Sequence, residues 1–149
     1  MKMIPYCRDI FYYETDRMNV VSHTNYIRWM EEARTDFLRQ AGMAYDQIEA
    51  EGLMIPVLEV RCQYRQSLTY GDRFAIVSRI TEYNSFKMKI AYEIYNARTG
   101  TLSARASSAH CFTDSSMKPV RISKRNPTLH ALFLKSMDAE YSAWDYGAE

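Results

Sequence analysis

Hydrophobic and polar positions recur along this chain with two different periods, and the change from one to the other marks out its elements. From Asn25 to Ala41, Tyr26, Met30, Ala33 and Phe37, with Ile27 and Leu38 beside them, return at three- and four-residue steps. Arg28, Glu31, Glu32, Arg34, Asp36 and Arg39 take the other side, so this stretch predicts an amphipathic helix. Thr24 or Asn25 can cap its start and Gly42 its end. Beyond Pro56 the period becomes two: Phe86, Met88, Ile90, Tyr92 and Ile94 alternate with Lys87, Lys89, Ala91, Glu93 and Tyr95, as side chains on opposite faces of a strand do.

Turn residues at Tyr70-Gly71-Asp72, Tyr83-Asn84-Ser85 and Arg98-Thr99-Gly100 divide this region into runs near 57–67, 73–83, 86–97 and 101–113. Links this short favour antiparallel neighbours. With a first strand over Tyr6 to Tyr13 they predict a sheet of about five strands, and the apolar stripe of the helix needs that sheet to bury it. The expected class is α+β. Short helices are expected at Ala44 to Glu51 and Thr128 to Met137, with the tail 138–149 frayed.

Bulk properties narrow the possible partners. The 149 residues suffice for one domain over 1–149, and 19 Lys and Arg against 18 Asp and Glu give no field that would draw the chain to nucleic acid. Cys7, Cys62 and Cys111 are an odd set without metal-ligand spacing, which suits free thiols in a reducing compartment. No run of 18 apolar residues and no apolar leader stands out. The reading is a cytoplasmic protein without a membrane span, a metal or a cofactor.

The candidate chemistry lies between the first strand and the long helix. Asp16 sits in that loop and His23 at the mouth of the helix, whose first N–H groups lack intrahelical acceptors and carry a partial positive charge. Donors fixed there stabilise an oxyanion, while Asp16 can attack an activated acyl carbon or deprotonate a water that does. Taken singly, each residue has a plainer explanation. Asp16 can cap a turn, His23 can be structural, and Tyr12 can belong to the core.

The combination is more specific. The string from Tyr12-Tyr13-Glu14-Thr15-Asp16 through Ser22-His23-Thr24-Asn25-Tyr26 to Trp29-Met30-Glu31-Glu32-Ala33-Arg34 closely resembles the signature of the hot-dog-fold acyl-CoA thioesterases of the 4-hydroxybenzoyl-CoA thioesterase type. Pro56-Val57, Tyr70-Gly71-Asp72, Ala109-His110-Cys111-Phe112 and Lys118-Pro119-Val120-Arg121 extend the match over Tyr6 to about Arg125.

The resemblance implies a sheet of about five strands wrapped around one long helix, and hydrolysis of a small or medium acyl-CoA to free acid and CoA. It implies Asp16 as nucleophile or general base, and His23 as a helix-mouth residue whose N–H polarises the thioester carbonyl. Tyr12 matches a tyrosine implicated in some relatives. It also implies a homodimer, often paired into a homotetramer, whose active site draws on both chains. Where many relatives carry glycine, this chain has Asn19, the residue type besides glycine that best tolerates positive φ.

Thr24, Asn25 and Tyr26 at the helix start are candidates for contacting the substrate. Lys118, Arg121 and Lys124 belong to a stretch, Ser115 to Met137, that contains no acid and suits the phosphates of coenzyme A, although a solvated basic face explains the same run. Arg61 and Arg65 are weaker candidates. Two other readings remain: a hot-dog module that binds acyl-CoA without cleaving it, and a hydratase or dehydratase using His23 with Glu31 or Glu32.

Overall fold

The computed structural model describes residues 1–141. In chain order it contains β1 (Lys2–Met3), β2 (Tyr6–Asp9), a 3-10 turn (Tyr12–Glu14), α1 (Thr24–Ala41), α2 (Tyr45–Ala50), β3 (Leu53–Met54), β4 (Val57–Tyr64), β5 (Arg73–Tyr83), β6 (Lys87–Asn96), β7 (Leu102–Cys111), β8 (Thr113–Asp114), α3 (Ile122–Arg125), α4 (Pro127–Ser136) and β9 (Glu140–Tyr141). Five strands form one antiparallel sheet in the order β2-β5-β6-β7-β4. The 18-residue α1 packs on it, and three shorter helices accompany it among the described residues.

The two-fold pattern becomes a two-faced sheet. Along β6, Met88, Ile90, Tyr92 and Ile94 are buried, whereas Phe86 lies outside the strand and exposed. On α1 the buried stripe is Tyr26, Trp29, Met30, Ala33, Phe37 and Leu38, and Ile27 faces outward at 42% exposure. Trp29 replaces Ile27 because its indole stacks on Phe74 of β5, ring centres 4.3 Å apart. Burying such a large aromatic face outweighs an isoleucine's contribution.

Three local expectations change. The first strand ends at Asp9, and Tyr12 and Tyr13 sit in the 3-10 turn rather than continuing it. The helix cap is His23, in a right-handed helical conformation without a side-chain cap bond, so neither Thr24 nor Asn25 caps it. The tail is tied down in part: Glu140–Tyr141 pairs with Lys2–Met3, and the Tyr141 hydroxyl donates to the Ser78 carbonyl at 2.6 Å. Residues 142–149 of the expected frayed tail lie outside the described residues.

Gly42 ends α1 with φ 111, a value that glycine adopts without a Cβ clash. Phe133 of α4 stacks on Phe112 just after β7, ring centres 5.6 Å apart, closing one end of the core.

Candidate active site

Glu14 anchors the loop that carries Asp16. It is fully buried, and every lone-pair direction is spoken for. Oε1 accepts from Arg8 Nη1 at 2.9 Å and the Phe11 N–H at 2.9 Å, while Oε2 accepts from Arg8 Nη2 at 2.9 Å and Trp29 Nε1 at 2.7 Å. Burial opposes its charge, but the Arg8, Trp29 and Phe11 donors more than offset that and hold the carboxyl below the usual range. Burial likewise opposes the Arg8 charge, and its bonds to Glu14 and Glu32 reverse the effect. The Glu14 carbonyl accepts from the Ser22 N–H at 3.0 Å and from Asn25 Nδ2 at 2.8 Å. One residue thus joins both ends of the loop to the start of α1.

The turn above this neck aims Asp16. Its N–H donates to the Val20 carbonyl at 2.9 Å, and its Oδ1 accepts from the N–H groups of Met18 at 2.8 Å and Val20 at 3.3 Å. Asn19 closes the turn at φ 60, the left-handed conformation expected where relatives use glycine. Oδ2 accepts no hydrogen bond among the described residues. Asp16 is exposed, yet it shares an open groove of about 520 Å³ with Val20, Val21, Ser22, His23, Tyr26, Tyr64, Arg65, Gln66 and Ser67.

The mouth of α1 forms one wall of that groove. Asn25 N–H donates to the Ser22 carbonyl and Tyr26 N–H to that of His23, while the N–H groups of His23 and Thr24 have no acceptor among the described residues. The His23 side chain touches the edge of the Tyr64 ring, centres 6.0 Å apart. The Tyr64 hydroxyl donates to the His23 carbonyl at 3.0 Å. Burial, and then the neighbouring Cys62, push that hydroxyl up to about 12, so it remains a proton donor at neutral pH.

Of the residues singled out in the sequence, Asp16, His23 and Tyr26 meet in the groove. Tyr26 is buried, its hydroxyl 3.1 Å from Ser103 Oγ, and Asn25 is a buried strut to Glu14 rather than a surface contact. Thr24 is exposed, with Oγ1 3.2 Å from Ser22 Oγ. Tyr12 is exposed on the 3-10 turn, edge-on to Tyr70 with ring centres 5.5 Å apart, and does not line the groove. Arg65, a lesser candidate, does.

Lys118, Arg121 and Lys124 are exposed near the far end of β7, with the Arg121 guanidinium 5.2 Å from the Phe86 ring centre. The groove lies near the start of β7, where the backbone N–H groups of Arg65 and Gln66 donate to the Ser103 carbonyl. The two ends are roughly 25 Å apart at about 3.3 Å per residue. Within one chain, therefore, the basic run does not border Asp16. The acids considered beside His23 are also committed elsewhere. Glu32 accepts from Tyr6 and Arg8, and Glu31 lines a different cavity.

That second cavity, about 360 Å³, lies beneath the C-terminal half of α1. Its walls include Phe37, Leu38, Ile55, Ile80, Met88, Ile90 and Phe133, with Arg34, Tyr45 and His110 as polar groups and Glu31 and Thr35 exposed at the rim. Among the described residues, no cluster of three His, Cys, Asp or Glu side chains converges to hold a metal ion, and no helix is long and apolar enough to cross a membrane.

Comparison with known proteins agrees with this architecture. Over 129 residues the chain is 36% identical to YneP of Bacillus subtilis, provisionally named an acyl-CoA thioesterase, covering 86% of this chain and 93% of that protein. It is 26% identical over 115 residues to the acyl-CoA thioester hydrolase YbgC of Escherichia coli, covering 77% and 86%. The crystal structure of the DHNA-CoA thioesterase from Staphylococcus aureus superposes with a TM-score of 0.85 at 28% identity, covering 91% of each chain. Residues 12–135, which span the Asp16 loop, α1 and the whole of β4 to β7, match the model of the thioesterase-like superfamily. With its loop, its long helix and four of the five sheet strands inside that match, the chain belongs to the thioesterase-like superfamily and has the hot-dog fold.

Proposed function

We propose that this enzyme hydrolyses the thioester bond of a small or medium acyl-CoA, with Asp16 as the carboxylate and the mouth of α1 as the site that receives the carbonyl oxygen. The observation that carries this reading is the shared groove: Asp16, with Oδ2 unengaged, opens onto the same space as the free N–H of His23. As a thioester is attacked, negative charge builds on its carbonyl oxygen. An N–H at a helix end, bearing part of a charge of roughly +0.5, stabilises it without rearrangement. Asp16 either attacks the carbonyl carbon, giving an anhydride that water opens, or takes a proton from the attacking water. In both cases the thiolate of CoA leaves and the free acid remains.

The reading includes a second copy of the chain. β4 is one of the two edges of the sheet, and Val57, Leu58 and Tyr64 on it are exposed at 44%, 55% and 47%. An open edge with exposed apolar side chains invites pairing. Antiparallel pairing of two β4 strands sets the Val57 end of one copy beside the Tyr64 end of the other. The cavity beneath α1, with Pro56 and Val57 at its wall, then faces the partner's groove and receives the acyl group. The basic residues Lys118, Arg121 and Lys124 also come to the partner's site, where they suit the phosphates of CoA.

A panel of straight-chain, branched and aromatic acyl-CoA esters, followed by thiol release, tests this function. Release from at least one class at enzymatic rates is expected. Binding of the esters, seen as a raised melting temperature, with the thioester intact after long incubation, points instead to a non-catalytic acyl-CoA-binding module.

A further inference from the structure

Arg34 enters the cavity beneath α1 without a carboxylate to meet it. Its Nη1 donates to the Tyr92 hydroxyl at 3.1 Å, and the ion pairs among the described residues do not include it. A guanidinium carries five N–H donors and is costly to leave underused where water is scarce.

One arrangement of protons gives every hydroxyl in the neighbouring hydrogen-bond chain an acceptor. Arginine only donates, so the Tyr92 oxygen accepts from it, and the one hydroxyl proton of Tyr92 goes to Ser108 Oγ at 2.8 Å. Ser108 in turn donates to His110 Nε2 at 2.7 Å. The remaining proton of the neutral imidazole therefore sits on Nδ1, which is buried and has no hydrogen-bond partner among the described residues. Burial first, then the Arg34 charge, hold His110 down to about 4, against a weaker opposing pull from the Ile55 and Pro56 carbonyls. The relay uses up its own acceptors and ends on donors. Glu31, exposed at the rim and not ion-paired with Arg34, balances the formal charge of the lining, so the chamber as a whole offers a second carboxylate no net attraction.

We propose that Arg34 is a specificity-determining residue whose guanidinium meets a neutral oxygen acceptor, a hydroxyl or keto group, carried by the acyl chain. The enzyme then prefers oxygenated acyl groups over plain hydrocarbon chains of the same length. This rests on the thioesterase reading and on the acyl group occupying this chamber.

The test compares kcat/KM for a series of ω-hydroxyacyl-CoA esters, four to ten carbons long, each against its unsubstituted parent and its ω-carboxy counterpart. At the length that fills the chamber, the hydroxy ester is favoured by about tenfold or more, the scale of a hydrogen bond to a charged donor. Arg34→Met brings the ratio to within about twofold of unity, and Arg34→Lys, the fallback where the methionine variant does not fold, keeps only part of it. Absence of a preference at every length, a preference for the carboxy ester, or a preference that survives in Arg34→Met overturns the proposal while leaving the hydrolytic function standing. If no ester is cleaved, the hydrolytic reading fails separately. The same pairs are then scored by ligand-induced rise in melting temperature: a larger rise for the hydroxy ester that Arg34→Met abolishes supports the proposal, and equal rises overturn it.

Discussion

The indole Nε1 of Trp29 donates to Oε2 of Glu14 at 2.7 Å, so a helix residue in the centre of the core is bonded directly to the neck of the loop that carries Asp16. Arg8 completes the arrangement from β2, its guanidinium bonded to both Glu14 and Glu32. The neck of the loop is therefore held by buried charge, and the turn above it aims Asp16.

Removing Glu14 takes an acceptor from Arg8, the Trp29 indole and the Phe11 N–H at once. Arg8 keeps its ion pair with Glu32, so Glu14→Ala is expected to cost about 2–3 kcal/mol of stability, the scale of lost bonds to a charged acceptor. Trp29→Phe keeps the ring stack on Phe74 but loses one bond to a charged acceptor, a cost of about 1–3 kcal/mol. Urea denaturation of the two variants measures both. A loss below 1 kcal/mol in Glu14→Ala contradicts the anchoring role.

His23 offers a clean separation of backbone from side chain. Its φ of −57 is one that proline adopts, and its N–H donates to no acceptor among the described residues. His23→Ala keeps that N–H and is expected to retain most of kcat. His23→Pro removes it and is expected to lower kcat by about 100-fold, as loss of an oxyanion donor does. A large loss in His23→Ala with an altered pH profile assigns the work to the imidazole instead.

His110 makes stability depend on pH. Its folded pKa of about 4 lies below the unfolded histidine value of about 6.5, so the unfolded chain takes up a proton first as the pH falls. Its contribution is fully present above about pH 6.5 and is lost on acidification towards pH 4, a change on the order of 3 kcal/mol. Melting temperature measured across that window should fall further for the parent protein than for His110→Asn. Parallel curves rule this linkage out.

The proposed assembly rests on the exposed apolar side chains of the β4 edge. Light scattering at micromolar concentration should give a mass of two chains or four, and a monomeric mass excludes shared active sites. Leu58→Asp places a charge on the exposed edge of β4, beside the register shift between Val57 and Glu59, and is expected to weaken association and thiol release together.

Much of the fold was legible because the signals were local. Alternation gave β5, and β6 and β7 to within a residue or two at each end; the three- and four-residue steps gave α1, and the turn at Asn19 took the positive φ expected of it. The misses arise from contacts between distant residues. Glu14 looks like an acid in a polar turn until Arg8, Trp29 and Asn25 converge on it. Arg34 falls on the polar side of the helical pattern, yet a long side chain at the border of an apolar stripe can fold back, and here it reaches Tyr92 on the sheet. Asn25 and Thr24 have the chemistry of caps, but the chain enters α1 already helical at His23, which leaves the capping position to a residue without that chemistry. Lys118, Arg121 and Lys124 share a charge pattern that says nothing about which end of β7 they occupy.

The most direct test replaces a single oxygen. In Asp16→Asn the side-chain oxygen can still accept from the Met18 and Val20 N–H groups, so the turn is preserved while the carboxylate is lost. With an acyl-CoA ester that the parent cleaves, thiol release by Asp16→Asn should fall by about 100- to 10,000-fold at an unchanged melting temperature. A folded Asp16→Asn protein that releases thiol within tenfold of the parent contradicts the role of this carboxylate in hydrolysis.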